Sequence, residues 1–228
     1  MIVEGEGGYT VVDGEKLPMH EGDLVLTPGG EWHDHGHEGD HPLIWLDALD
    51  LPLFVALEGN YAVERELQKQ KNRPDSSQVE YISSGLVPSR KINYRSPKYP
   101  MLRFPWSSTK ESLLRLSRYS STGVSEVDYV NPENGKDVLP TMGFTAILIL
   151  KSKSLKPTKN STSSVFHIVK GKGKSKINDQ VINWKNKDTF SAPVFSKIEH
   201  FAEDDSYIIK IHDKPLQEKI GYYEERKS

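Results

Sequence analysis

The chain has 228 residues, a formal net charge of −2 and no cysteine. Disulfides and thiolate metal sites are therefore excluded, and nothing electrostatic suggests nucleic acid or an anionic membrane as a partner. No apolar run approaches the ~20 residues of a membrane span, and Met1–Gly5 lacks the basic and apolar regions of a secretory signal, so a soluble cytoplasmic protein is expected.

Residues 1–14 read as a strand, a glycine-rich bend and a second strand, closed by the hairpin dipeptide Asp13-Gly14. Lys16–Met19 continues extended, His20–Asp23 turns, and Leu24–Thr27 is a short strand ended by Pro28. Pro42–Asp47 is again strand-like. Short strands with frequent turns argue for an antiparallel sandwich or barrel. The texture then changes. Leu51–Gly59 is apolar, Glu64–Ser77 reads as an exposed loop, and Ser83–Pro105 reads as irregular, wrapping chain. Ser108–Glu111 has the form of a capping box and opens a helix to about Arg118, with Leu113, Leu114 and Leu116 on one side. Tyr129–Gly135 is turn chemistry. From Pro140 strands return at Ala146–Leu150, Val165–Val169, Lys174–Ile177, Val181–Trp184, Thr189–Ala192 and Tyr207–Ile211. Asp213-Lys214-Pro215 then opens a short helix over Leu216–Ile220. Three regions follow: 1–58, a helix-containing connector 59–139, and 140–228.

Charge is uneven. Residues 1–50 hold twelve acidic side chains against Lys16 alone, whereas residues 151–187 hold ten lysines and one acid, Asp179. These lysines alternate with Val, Ile, Ser and Gly and lack interleaved aromatics, which describes a solvated strand face better than a nucleic-acid surface.

Two segments repeat. Ile2-Val3-Glu4-Gly5-Glu6-Gly7 aligns with Ile168-Val169-Lys170-Gly171-Lys172-Gly173, and Asp13 with Asp179; after a one-residue deletion Asp23 falls on Asp188 and Pro28 on Pro193. The chain is thus two copies of one β unit. Between Gly22 and His37 the first copy places His33, His35 and His37 at alternate positions. Strand geometry turns these to one face, and imidazole is the commonest transition-metal ligand. The repeat puts Ile198 at the position of His33 and His200 at that of His35. One copy therefore keeps the frame without the first imidazole, and a structural role is the alternative reading of His35. His37, His41 and His20 read as solvent-facing or turn residues, and His167 and His212 as packing or surface residues.

Gly22, Pro28-Gly29-Gly30 and His33 have the spacing of the second signature of the cupins, small antiparallel β-barrels with a metal in the mouth; His37 stands where that signature has Asn. Beyond the motif the chain resembles the gentisate 1,2-dioxygenases. The resemblance rests on Val3–Gly14, Leu26–Glu38, Ile44–Asp50, Gly85–Leu86, Tyr129–Pro132 with Pro140–Met142, Val165–Gly173 and Asp213–Arg226. It implies an all-β fold, a double-stranded β-helix repeated twice, with Fe(II) in the first barrel only. It makes His33 a metal ligand, His35 an active-site histidine beside substrate and O2, and Asp47 a carboxylate that supports the pocket. A small aromatic hydroxy acid would be opened with O2, gentisate giving maleylpyruvate. Salicylate and 1-hydroxy-2-naphthoate dioxygenases share these stretches.

In that family the other two iron ligands form a His-x-His pair about a dozen residues before the position of Gly5, and a metal face needs all three imidazoles. Only four residues precede Gly5 here. The first barrel is therefore expected to be incomplete, as in an N-terminally truncated member with impaired activity. Its open strand edge favours association into a homo-oligomer. A metal-free bicupin with a binding or structural role, and a different cupin enzyme such as an isomerase, are the other readings.

Overall fold

The computed structural model describes residues 1–64, 74–81, 86–88 and 99–226. Most of the exposed loop read at Glu64–Ser77 and of the wrapping stretch Ser83–Pro105 lies outside the described residues. The chain divides into two compact units, Met1–Trp106 and Ser107–Ser228, so residues 59–139 are shared between them. No described helix is long and apolar enough to cross a membrane.

The first unit holds β1 (Ile2–Glu4), β2 (Gly8–Val12), β3 (Glu15–Pro18), β4 (Leu24–Val25), β5 (His33–His37), β6 (Ile44–Trp45), α1 (Leu51–Ala56), α2 (Ser77–Glu80) and β7 (Arg103–Phe104). All pairings are antiparallel: β1 with β6, β2 between β3 and β5, and β4 with β7. Ile2, Val11, Val12, Leu17, Leu24 and Leu26 are buried between them. The apolar run after Asp50 forms α1, which buries none of its residues.

Helix α3 (Trp106–Ser117) begins two residues before the capping box at Ser108. The Trp106 N–H donates to Asp23 Oδ1 at 2.8 Å, so a carboxylate 83 positions away meets the first free amide. Leu113 is buried, but Leu114 and Leu116 are 39% and 46% exposed, which corrects the single apolar face read from sequence.

The second unit continues with β8 (Val124–Asp128), β9 (Gly143–Ile149), β10 (Ser154–Thr158), β11 (Ser164–Lys170), β12 (Lys172–Ile177), β13 (Gln180–Lys185), β14 (Thr189–Ala192), β15 (Ile198–Ala202), β16 (Ser206–His212) and α4 (Lys214–Lys219). Two sheets, ordered β14-β11-β16-β9-β8 and β10-β15-β12-β13, enclose Ile147, Ile149, Phe166, Ile168, Ile177, Trp184 and Ile208. This is the antiparallel sandwich expected from the pattern of short strands, and it agrees with the all-β cupin fold that the family resemblance implies.

The repeat is visible in the backbone, and the structure moves its gap. The Ile2 N–H donates to Asp23 O at 3.1 Å, as Ile168 N–H does to Asp188 O at 2.9 Å. The Gly22 N–H then returns to Ile2 O and the Lys187 N–H to Ile168 O, at 2.9 and 2.7 Å. Both corner residues are left-handed, with φ +85° and +70°. In the next strand Gly8 lies across from His37 and Gly173 across from Ala202. The register therefore pairs Gly8 with Gly173, and the extra residue of the first copy is Glu6 rather than one after Asp13. The left-handed hairpin position is Asp13 (φ +46°) in one unit and Asn178 (φ +54°) in the other, which replaces the Asp13–Asp179 match.

Inside the second unit Ser175 is a polar hub. Its Oγ accepts the Trp184 Nε1–H at 2.8 Å and lies 2.7 Å from His200 Nδ1, with all three residues buried. Ser175→Ala removes a partner from two buried polar groups at once, each costing about 1–3 kcal/mol when orphaned. Chemical denaturation is expected to show a loss of about 2–6 kcal/mol by that count; a loss within error would mean the hub contributes nothing.

Candidate functional site

Strand β5 carries the three histidines because its neighbour β2 fixes its register: Val12 faces His33, Thr10 faces His35 and Gly8 faces His37. With side chains alternating, His33, His35 and His37 share one side, and the ring of Tyr9 occupies the space a side chain at Gly36 would need on the other. The His33 and His35 rings meet edge-on with centroids 5.7 Å apart. His35 also stacks on Trp45 of β6, at 5.6 Å and 28°. Thr10 Oγ1 lies 2.9 Å from His35 Nδ1 and within 3.4 Å of Met19 Sδ. With the hydroxyl proton turned to sulfur, Nδ1–H donates to Thr10 and Nε2 carries the free lone pair. Burial lowers the proton affinity of His35, neighbouring His33 lowers it further, and Asp47 and Asp34 oppose both. His35 is thus held towards the neutral imidazole.

Asp47 follows β6 by two residues and is exposed; its charge reaches both His35 and the Met1 amine. That amine donates to Leu46 O at 2.9 Å. His33 is exposed, with Nδ1 3.4 Å from Glu31 O, and His37 and His41 are exposed as well. The structure therefore gathers His33, His35 and Asp47 around β5 and β6. It adds two residues to which the sequence reading gave no role, Thr10 and Trp45. Trp45 had a signal: it stands two residues before Asp47, the spacing that turns two strand residues to one face.

The second unit offers the same frame with different contents. Ser175 and His200 repeat Thr10 and His35, hydroxyl against Nδ1, in the same cross-strand pairing. Ile198 replaces His33. The match of Ile2 to Ile168 carries Trp45, across from Ile2, to Ile208, across from Ile168, and hence Asp47 to Lys210. The charge beside the histidine is reversed: Asp47 raises the proton affinity of His35, whereas burial and then Lys210 lower that of His200, to about 4. Phe166 meets His200 edge-on at 4.6 Å and fills that side of the ring. His167 pairs with Thr189 at 2.9 Å, and His212 is buried.

An iron site of the kind the family resemblance implies does not fit these residues alone. Among the described residues no group of three or more His, Asp or Glu side chains is placed to hold a metal. His33 and His35 are neighbours, and the Nδ1 of His35 is engaged by Thr10.

A cupin domain model matches residues 1–49. A gentisate 1,2-dioxygenase from Ralstonia sp is 38% identical over 230 residues, covering 99% of this chain and 64% of the relative. A 5-aminosalicylate 1,2-dioxygenase from Comamonas sp is 33% identical, covering 98% and 60%. The crystal structure of salicylate 1,2-dioxygenase from Pseudaminobacter salicylatoxidans superposes with a TM-score of 0.87 at 26% identity, over 99% of this chain and 67% of that one. The chain thus spans about two thirds of the length of the proteins it matches. By sequence along nearly its whole length and by fold, the chain belongs to the gentisate 1,2-dioxygenase family of cupin proteins.

Proposed function

We propose that this chain supplies the larger part of an iron-dependent ring-cleaving dioxygenase, and that its chemistry is confined to the first unit. The substrate class is a small aromatic acid with a hydroxyl beside its carboxylate, gentisate being the first choice. The overall reaction adds both atoms of O2. The bond between the carboxyl-bearing and hydroxyl-bearing ring carbons breaks, the first carbon becoming a ketone and the second a carboxylic acid, so that gentisate gives maleylpyruvate. The observation that carries this reading is the contrast between the two units. His33, His35, Trp45 and Asp47 in the first unit correspond to Ile198, His200, Ile208 and Lys210 in the second.

Within that site the chain's own residues have separable tasks. The free Nε2 of His35, set by the Thr10 hydroxyl, accepts or returns a proton at the substrate hydroxyl. The Trp45 face, 40% exposed, offers a stacking surface to an aromatic ring. His33 contributes one imidazole to the metal. The ligands still needed come from outside the described residues, and the open strand edges indicate where they would enter. Among the described residues β5 is the end strand of its sheet and β6 pairs with β1 alone, whereas β15 carries β10 and β16 carries β9 on the corresponding edges.

The purified 228-residue chain is expected to bind well under one iron per chain and to form no maleylpyruvate from gentisate in air. A fusion supplying the remaining third of a matched dioxygenase should restore both. Stoichiometric iron with turnover by the chain itself would overturn the incomplete-site reading; an iron-loaded fusion without ring cleavage would overturn the dioxygenase reading. The second reading, a metal-free cupin pair that binds a small acid, draws on the Thr10–His35 pair recurring as Ser175–His200 in the unit that lacks a counterpart of His33. Calorimetry showing gentisate bound tightly by the chain and by an inactive fusion alike would favour it.

A further inference from the structure

We propose that Met19 and Trp184, which occupy one place in the repeat, set the neighbouring histidines to opposite tautomers. The proton sits on Nδ1 of His35 and on Nε2 of His200. The strand register makes the two places equivalent. Tyr9 faces Pro18 and the Met19 N–H donates to Gly8 O at 3.0 Å, so Met19 lies across from Gly8. Trp184 lies across from Gly173, the residue that the repeat pairs with Gly8. Two positions further along, Thr10 and Ser175 each bring a hydroxyl to the Nδ1 of the histidine across from them. The distances are 2.9 Å to His35 and 2.7 Å to His200. Thr10, Met19, Ser175 and Trp184 are 1%, 4%, 0% and 2% exposed, so bulk water does not complete these contacts.

A hydroxyl has one proton to give, and its third partner decides where that proton goes. The indole N–H of Trp184 only donates, and it donates to Ser175 Oγ at 2.8 Å. Among the described residues the Ser175 proton then has one acceptor left, His200 Nδ1. Neutral His200 therefore carries its own proton on Nε2. Met19 Sδ only accepts. It lies 3.4 Å from Thr10 Oγ1 and takes the hydroxyl proton, so Oγ1 receives Nδ1–H from His35. In the reverse arrangement Thr10 donates to Nδ1 and makes one hydrogen bond instead of two. One net hydrogen bond is worth a factor of roughly two to ten in an equilibrium, with a thioether acceptor towards the lower end. Under the proton-transfer role proposed above, on which the functional part of this assignment rests, Met19 is a positioning residue. It acts through Thr10 to keep the lone pair of His35 on Nε2, where no described residue occupies it. His200 has no lone pair at that nitrogen. The second unit thus differs from the first in the state of the histidine they share, as well as in Ile198 for His33.

Long-range 1H–15N spectra of the 228-residue chain, labelled at histidine nitrogen, test this without iron or substrate. At about pH 8 imidazoles of ordinary pKa are neutral, and a protonated ring nitrogen resonates far from one with a lone pair. His35→Gln and His200→Gln identify the two rings. Nδ1–H is expected for His35 and Nε2–H for His200. Met19→Leu, close to methionine in volume, should shift the His35 ratio towards Nε2–H by roughly two- to tenfold. Thr10→Ser, which keeps the hydroxyl, should leave the ratio in place. Nε2–H on wild-type His35, Nδ1–H on His200, or a ratio unmoved by Met19→Leu would overturn the proposal. The two wild-type assignments decide it even where a variant fails to fold. In the fusion that supplies the remaining third, Met19→Leu should lower kcat in proportion to the loss of the Nδ1–H form, with KM little changed. A kcat that holds while the ratio shifts would overturn proton transfer by His35 and leave the tautomer assignment standing.

Discussion

Replacing Arg103 by alanine is expected to cost the first unit about 3–5 kcal/mol, the typical cost of removing one partner from a buried ion pair. Arg103 Nη1 donates to Asp23 Oδ2 at 2.9 Å, and its Nε and Nη2 reach Asp75 Oδ2 at 2.8 and 2.6 Å. The side chains of Arg103, Asp23 and Asp75 are only 10%, 3% and 11% exposed. Burial raises the proton affinity of Asp75, and Arg103 is the principal force opposing it. Without the guanidinium the two carboxylates lose the cation they share, and Asp23 keeps beside it the His20 imidazole, its Nδ1 3.4 Å from Oδ2. Asp23 also holds the Trp106 N–H, so the first turn of α3 loosens with it. Arg103→Lys should fall between, because an ammonium keeps the charge but not the fork that spans two carboxylates. Trp32, Trp45 and Trp106 belong to the first unit and Trp184 to the second, so tryptophan fluorescence in a urea titration reports mainly the unit affected. A loss below about 1 kcal/mol, the value of a surface pair, would mean the cluster is solvated in practice.

Acidification is expected to destabilise the second unit between pH 6.5 and about 4. His200 is buried and its pKa is lowered to about 4, burial being the larger cause and Lys210 the second. An unfolded chain takes up this proton near pH 6.5, the folded chain only near pH 4, so between those values the unfolded state binds more protons. Stability is therefore complete above pH 6.5 and falls as pH drops through the window. The loss from His200 alone is about 3 kcal/mol, taking about 1.4 kcal/mol per pH unit. His167 and His212, also lowered to about 4 by burial, act in the same direction. Glu126 and Asp137, whose carboxyls burial pushes up, oppose them. Urea midpoints measured from pH 7 to pH 4.5 should fall steadily. His200→Gln should lower the midpoint at pH 7 yet flatten the profile; an unchanged slope would remove His200 from the account.

The parts of this protein that were legible in sequence are those set by local chemistry. Asp13-Gly14 and Gly22 declare their turns because few residues accept a left-handed backbone, and β9, β11 and β16 declare themselves through runs of buried Ile, Val and Phe. β8 and β10 lack that signal. Glu126 and Asp128 share the face of Val124 that joins the core in β8, and β10 sends only Leu155 to the core between Ser154, Lys156 and Pro157. The start of α3 was misplaced because its cap comes from Asp23, and the Asp23–Arg103–Asp75 cluster spans 80 residues. At the site, alternate histidines and the cupin spacing brought out His33 and His35. The tautomer set by Thr10 and the stack on Trp45 depend on strand pairing, which spacing along one strand does not encode.

The reversal from Asp47 to Lys210 has a wider consequence. The imidazole–hydroxyl pair is common property of both halves, so a histidine at this place in the fold says little about chemistry. Under the proposed function, what distinguishes the two halves is the sign of the group two residues after the one facing Ile2 or Ile168: Asp47 after Trp45, Lys210 after Ile208. Duplication gave the protein two equal frames. One buries its histidine against Phe166, burial first and the Lys210 cation second keeping it neutral; the other leaves it beside a carboxylate, on the end strand of its sheet among the described residues.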